Sequence, residues 1–156
     1  MMRKLILCLM VLATFWSASS NANDEISYGI GTGALTSGLG VNAALRSENH
    51  MGYIAAGCLG IGYSNEQGWI LPCGIGAGWI QTDLLTNANN HHGLGIYVGP
   101  VGMNDDKKAR YGVGVTYVYF MQGVNAKGWN FGFTPATGQD NGTDKGSLLI
   151  NVGYQF

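Results

Sequence analysis

Residues 147–156 read SLLINVGYQF, and the alternation within this stretch decides the fold. Apolar side chains occupy every second position, namely Leu148, Ile150, Val152, Tyr154 and Phe156. The positions between them are small or polar, except Leu149. Because successive side chains of a strand point to opposite faces, the pattern predicts a β-strand with one apolar face. An apolar outer face, a polar inner face and an aromatic rim are typical of a strand in a membrane-spanning barrel.

This stretch resembles the terminal strand of Gram-negative outer-membrane β-barrel proteins, which typically end in Phe behind alternating apolar residues. The resemblance covers these ten residues and is to the small eight-stranded barrels, the OmpX- and OmpA-barrel-like class. It implies an all-β fold, namely a closed, antiparallel, up-and-down transmembrane barrel of eight strands. It also implies insertion by the barrel-assembly machinery through the last strand, and contact with outer-membrane lipids and lipopolysaccharide.

The remainder of the chain repeats the two-residue period often enough to complete such a barrel. The eight predicted strands are 25–34, 39–48, 52–63, 69–82, 93–102, 110–121, 127–134 and 147–156. Residues 135–146 are predicted to be a polar loop, and Pro100, which cannot donate to a ladder, predicts a bulge or strand end. Closure of the barrel pairs the backbone N–H and C=O groups of the edge strands, which could find no hydrogen-bond partner in hydrocarbon.

Composition supports a membrane location for a single domain at 23–156. Only 11% of residues are charged, and 26 of 156 are Gly.

Residues 1–22 are predicted to be a cleaved signal peptide. Arg3 and Lys4 precede the apolar run 5–16, and small residues precede a cut after Ala22. Its removal takes two of the 8 basic residues and none of the 9 acidic ones, leaving a net charge of about −3, which does not suggest nucleic acid.

The strand period assigns side chains to two predicted surfaces. In the third strand, Tyr53, Ala55, Leu59, Ile61 and Tyr63 are predicted to face outward. The lipid-facing aromatic belt is predicted to contain Trp69, Trp79, Tyr111, Tyr117, Tyr119, Trp129, Tyr154 and Phe156. The polar lumen is predicted to contain Asn42, Arg46, Glu48, Arg110, Asn130, Asn151 and Gln155, with carboxylates such as Glu48 pairing the arginines. Eight strands enclose room for side chains and not for a broad water channel.

Two groups of side chains carry candidate chemistry. Cys58 and Cys73 flank the predicted 64–68 hairpin, and an oxidising periplasm allows a disulfide. The face assignment sets Cys58 inward and Cys73 outward, so a bridge requires a bulge near Pro72, and the alternative is two buried thiols. His50, His91 and His92 lie in turns and are candidate metal ligands, although solvated turn histidines are the simpler interpretation.

The resulting functional hypothesis is a non-enzymatic, monomeric outer-membrane barrel with a structural, adhesive or envelope-stabilising role, without cofactor, metal or wide pore. Two alternatives stay open. One is a lipid-modifying or lipid-binding enzyme on the same barrel, although no Ser-His pair is evident in the sequence. The other is a soluble lipocalin-like secreted barrel, which would turn its apolar face inward.

Overall fold

The computed structural model describes residues 25–60, 62–64, 68–85, 90–104 and 107–156, with the backbone alone for 62–64 and 68–70. The predicted signal peptide lies outside these residues. The described chain is nearly all strand, with one short 3-10 helix, Ala34–Thr36. The strands are β1 (Glu25–Thr32), β2 (Leu39–Arg46), β3 (His50–Cys58), β4 (Gly62–Ser64), β5 (Gly68–Ile70), β6 (Cys73–Gln81), β7 (His92–Met103), β8 (Ala109–Phe120), β9 (Gly128–Asp140) and β10 (Thr143–Gln155).

Eight of these strands close into an antiparallel barrel in the order β1-β10-β9-β8-β7-β6-β3-β2. β4 and β5 form a separate two-stranded hairpin within the connection from β3 to β6. Neighbouring barrel strands are consecutive along the chain, apart from this hairpin, and β10 pairs with β1 to complete the ring. The predicted all-β, eight-stranded, up-and-down barrel is therefore confirmed.

The barrel strands are strongly staggered. Val152 on β10 pairs with Thr32 on β1. The two strands are antiparallel, so Gly146, six residues before Val152, would face position 38 if β1 continued in a straight line. That position is ten residues beyond Tyr28. A path of directly paired residues around the barrel joins Tyr28 to the same Gly146, through Ala43, Ile54, Ala77, Val98, Val113 and Thr137. A stagger of ten residues over eight strands tilts the strands by roughly 40° from the barrel axis.

The two ends of the barrel differ. The lower end is defined here as the end where β1 begins and β10 finishes, and it carries the connections 47–49, 82–91 and 121–127. The upper end carries the connections 33–38, 59–72, 104–108 and 141–142. β10 pairs with β9 from Thr143 to Gln155 but with β1 only from Val152 to Gln155, so the β9–β10 hairpin rises above its neighbour β1.

The third strand departs from its predicted range and faces. The prediction of one strand over 52–63 is wrong, because β3 ends at Cys58 and the separate hairpin follows. Tyr53 and Ala55 are buried in the lumen, at 4% and 5% exposure, while Ile54 is 67% exposed. The predicted outward position of Tyr53 and Ala55 is therefore wrong. The cause is the register with β2, which sets Tyr53 beside inward Ala44, since paired residues share a face.

The predicted polar loop over 135–146 is also wrong. β9 continues to Asp140 and β10 starts at Thr143, so only Asn141 and Gly142 form the turn. Both residues have positive φ, 48° and 80°, as a two-residue type I′ hairpin requires. The predicted bulge at Pro100 is confirmed, because the register of β7 with β8 shifts between Pro100 and Gly102.

Candidate functional site: the plugged lumen

The connection between β1 and β2 folds into the upper end of the lumen. Residues 33–38, hereafter the plug, contain the 3-10 helix, and all six are buried. Gly33, Ser37 and Gly38 have positive φ values of 100°, 54° and 102°, a conformation that favours glycine, on the two sides of the 3-10 helix. The 3-10 helix of the plug lies close to six barrel strands, namely β1, β2, β3, β6, β7 and β10, so the plug closes this end of the lumen.

Glycines on three strands provide space for the plug. A Cβ added at Gly40 or Gly57 would lie closer than 3.0 Å to the Thr36 carbonyl oxygen, and one at Gly76 closer than 3.0 Å to the Ser37 hydroxyl. All three positions point inward in the register. These three inward glycines therefore provide the space that the inserted segment fills.

Asn151 on β10 anchors the plug. It is fully buried, and its Oδ1 accepts the Ala34 N–H at 2.5 Å and the Leu35 N–H at 3.4 Å. Its Nδ2 donates to Thr134 Oγ1 at 3.1 Å, and Thr134 donates to Thr116 Oγ1 at 3.0 Å. One uncharged side chain thus satisfies plug backbone donors and connects them to β9 and β8.

A second pair of amide side chains, Asn42 and Gln155, also holds the plug. Asn42 on β2 donates from Nδ2 to the Leu35 carbonyl at 2.9 Å. Gln155 donates to Asn42 Oδ1 and to Ser27 Oγ, both at 2.9 Å. Buried amides and hydroxyls of three neighbouring strands therefore form one network with the plug, which favours a single packed state of the lumen.

The lower end of the lumen is closed differently, by apolar side chains. The connection 121–127 turns Val124 into the opening, where it is 1% exposed. The strands contribute the other members of this seal, which are Met51, Ile80, Val118 and Phe120. Arg46 lies here and donates to the carbonyls of Ala126 at 2.7 Å and Phe156 at 3.2 Å. Both ends of the described barrel are consequently filled.

Most of the predicted lumen side chains lie inside the barrel. The buried members are Asn42, Arg46, Arg110, Asn130, Asn151 and Gln155. Glu48 is the exception, because β2 ends at Arg46 and Glu48 is exposed in the following turn. The predicted pairing of Arg46 with Glu48 is replaced by hydrogen bonds to backbone carbonyls.

Sequence reasoning missed the plug and two lumen tyrosines. Tyr53 and Tyr97 fill the middle of the lumen, and the space for their rings comes from glycines: Gly78 on β6 for Tyr53, and for Tyr97 both Gly76 on β6 and Gly99 on its own strand, β7. The Tyr97 hydroxyl shares a hydrogen bond with Ser37 Oγ at 3.2 Å, so it also contacts the plug. The sequence signal that could have identified these inward tyrosines is an aromatic residue on one strand beside a glycine on the next.

The predicted aromatic belt lies on the outer surface where its side chains are described. Trp79, Tyr119, Trp129, Tyr154 and Phe156 gather at the lower end, where Tyr154 packs edge-on against Trp129 and Phe156. Tyr117 also faces outward and contacts Phe133, and Tyr111 lies toward the upper end. The side chain of Trp69 lies outside the described residues.

Cys58 and Cys73 form a disulfide. They are directly paired on β3 and β6, so both lie on the outward face. The predicted inward position of Cys58 is wrong for the same reason as that of Tyr53, and a bulge near Pro72 is not needed. The bridge joins residues that are 15 positions apart and closes the loop that contains the β4–β5 hairpin.

Replacing both cysteines with serine, C58S/C73S, is expected to leave the barrel closed and lower its free energy of unfolding by about 3 kcal/mol. A bridge closing a loop of this length restricts the unfolded chain by about that amount. Urea unfolding in detergent micelles, followed by tryptophan fluorescence, measures the change. The disulfide-reduced wild type should match the double variant, and a difference larger than about 1 kcal/mol between them would contradict this origin.

The three candidate metal ligands are used in other ways. His50 stacks on Trp79, with ring centroids 4.7 Å apart. His91 donates from Nδ1 to the Phe120 carbonyl, and His92 Nδ1 shares a hydrogen bond with the Tyr117 hydroxyl, both at 2.8 Å. Among the described residues, no three His, Cys, Asp or Glu side chains come together in a group that could hold a metal ion.

Comparison of the chain with protein-family models, curated proteins and solved structures finds no match. Within the described part of the chain, no helix is long and apolar enough to cross a membrane. The class that the fold and the site define is therefore a closed eight-stranded β-barrel with a plugged, hydrogen-bonded interior.

Proposed function

We propose that this chain is a small integral outer-membrane β-barrel protein of a Gram-negative bacterium. Its role is structural, adhesive or envelope-stabilising, and it has no wide pore. The observation that carries the proposal is the inversion of the usual burial pattern: the outward face is apolar and the interior holds amides, hydroxyls and arginines. A barrel surrounded by water would expose its polar residues and bury its apolar ones.

The dimensions of the outward face suit a bilayer. The outward positions from Tyr111 on β8 to Met121, one residue past its end, are apolar except for tyrosine hydroxyls, and at a tilt of roughly 40° this run rises about 25 Å, the height of the apolar band in such barrels. Among the described barrel-strand residues, the one charged outward side chain is Asp144, near the tip of the raised β9–β10 hairpin. The group of outward aromatic side chains at the lower end suits a membrane–water interface.

The filled lumen supports a role without conduction. The plug closes the upper end and the Val124 seal closes the lower end, and the space between them holds Tyr53, Tyr97 and the amide network. Planar-bilayer recordings of the purified protein are expected to show no stable conductance. Steady open-channel currents from the wild type would contradict this part of the proposal.

The same observations separate the proposal from its alternatives. A lipocalin-like barrel binds its ligand in an apolar interior, whereas this interior is hydrogen-bonded and occupied by the chain itself. A lipid-modifying enzyme needs an activated nucleophile, whereas the His91 and His92 rings hydrogen-bond to a backbone carbonyl and a tyrosine hydroxyl.

Replacing Val152 with arginine is expected to block stable membrane insertion. Val152 faces outward on β10, 38% exposed, and pairs with Phe131 within the apolar band. A charged side chain on the lipid face near the bilayer centre costs about 2–4 kcal/mol. The measurement is heat-modifiable migration of the outer-membrane fraction, in which a folded barrel runs differently until boiled.

The matched control is Gln139→Arg, which adds the same charge to the outward face of β9 near the tip of the raised hairpin. This variant should migrate like the wild type. Recovery of the wild type in the soluble fraction without detergent, or equal insertion of V152R and Q139R, would overturn the membrane proposal.

A further inference from the structure

An apolar groove of about 930 Å³ crosses the outer face of the barrel over β1, β2, β3, β6 and β7. Its floor is formed where small outward side chains, Ala43, Ala56 and Ala77, lie beside larger ones. Phe156 and Tyr28 mark the lower end of the groove, and Tyr111 marks the upper end. The described surface elsewhere on the band, on β8 to β10, carries mainly bulky outward residues.

The backbone ladder is interrupted at the upper end of the groove. Direct pairing of β6 with β7 runs from Gln81 to Ala77 and stops before Ile75. Pro100 has no N–H to continue it, and its carbonyl accepts from the lumen side chain of Tyr97 at 3.2 Å. The Ile75 N–H instead donates to the Tyr111 hydroxyl at 3.2 Å.

The Tyr111 hydroxyl is therefore the polar group at the end of an otherwise apolar groove. Because its oxygen accepts from Ile75, its own hydrogen is oriented away from β6 and can be donated to an acceptor above the groove. Apolar pockets with a few placed polar groups are the usual form of small-molecule sites, and this volume is in their range.

We propose that this groove binds one acyl chain of a membrane phospholipid, whose ester carbonyl accepts a hydrogen bond from Tyr111. This inference rests on the proposed membrane location. The floor crosses five neighbouring strands spaced about 4.8 Å apart and is roughly 20 Å long, enough for a chain of one leaflet, which is about 15 Å deep.

The chemistry of the groove favours a lipid chain over a protein partner. Its lining contains no charged side chain, and its outward polar side-chain groups are the Tyr28 and Tyr111 hydroxyls, since the Asn42 amide lies in the lumen, so the groove offers a partner almost entirely apolar contact. Its floor is narrow, because Ile54 and Ile75 project beside the alanines at 67% and 71% exposure. A helix about 10 Å across would not reach this floor.

The test measures lipid retention. Protein reconstituted in vesicles of dipalmitoyl phosphatidylethanolamine is extracted into mild detergent, and native mass spectrometry counts the phospholipid that stays bound. Wild type should keep one phospholipid per barrel. Ala56→Trp, which fills the floor, should reduce retention at least tenfold, whereas Val115→Trp, on the outward face of β8 outside the groove, should not. Tyr111→Phe should reduce retention by about two- to tenfold, and Tyr119→Phe should leave it unchanged.

The outcomes separate this inference from the membrane proposal. Heat-modifiable migration of each variant first establishes that it inserts and folds. If every variant inserts and A56W retains phospholipid as well as V115W does, or the wild type retains none, the groove inference is overturned and the barrel proposal stands. If the wild type does not enter the vesicles, both proposals fail.

Discussion

The variant Gly57→Ala is expected to lose the closed barrel. The added methyl group would lie closer than 3.0 Å to the carbonyl oxygens of Thr36 and Leu39, which belong to the plug and to β2. Both are backbone atoms and cannot rotate away, so either the plug leaves its seat or β2 separates from β3. Overpacking of this kind costs about 3 kcal/mol or more.

The measurement is the fraction of protein that shows folded, heat-modifiable migration after refolding into detergent micelles, together with urea unfolding of whatever folds. Gly146→Ala is the matched control. Its new methyl group meets only the Ala136 carbonyl oxygen, at 4.0 Å, so this variant should refold like the wild type. Equal refolding of G57A and G146A would show that the plug is not seated against β3.

Replacing Asn151 with leucine is expected to lower the free energy of unfolding by about 2–4 kcal/mol. The variant keeps a similar volume but leaves the plug N–H groups of Ala34 and Leu35 without their acceptor, and it removes the donor to Thr134. Each buried polar group left unsatisfied costs about 1–3 kcal/mol. Urea unfolding in micelles gives the magnitude.

The control for this variant is Gln139→Leu, which exchanges an exposed amide for leucine on the outward face of the neighbouring strand. Its effect should stay within about 0.5 kcal/mol. Hydrogen exchange adds a local readout, because the amide of Ala34 should lose protection in N151L and keep it in Q139L. An N151L protein as stable as the wild type would exclude the amide as the anchor of the plug.

The fold was predictable where one face of a strand is consistently apolar. From Tyr111 to Tyr119 on β8 and from Leu148 to Tyr154 on β10, every outward position is large and apolar, so the two-residue period assigns both faces correctly there. On β3 the period fails because Tyr53 and Ala55 are as apolar as Ile54 and Ala56, and only the register with β2 decides which pair faces the lumen. The location of Cys58 was misassigned with them.

The site was predictable in composition and not in arrangement. The two-residue period also predicts which polar side chains point inward, and six of the seven predicted lumen side chains lie in the lumen. The plug could not be predicted, because residues 33–38 look like an ordinary turn and their seat is formed by glycines on three separate strands. The long β9–β10 hairpin was missed because its outward positions become polar at Thr137 and Gln139, where the strand leaves the apolar band.

The plug also constrains the order of folding. It follows the first strand of the barrel, yet its anchor, Asn151, is on the last, 117 residues from Ala34. The bonds from Gln155 to Asn42 and to Ser27 span 113 and 128 residues across the same seam. A folding species that lacks β10 has no Asn151 to accept from the Ala34 and Leu35 N–H groups, so we expect burial of the plug to be completed together with ring closure. Such long-range contacts make folding slow, and they make the first and last strands depend on each other.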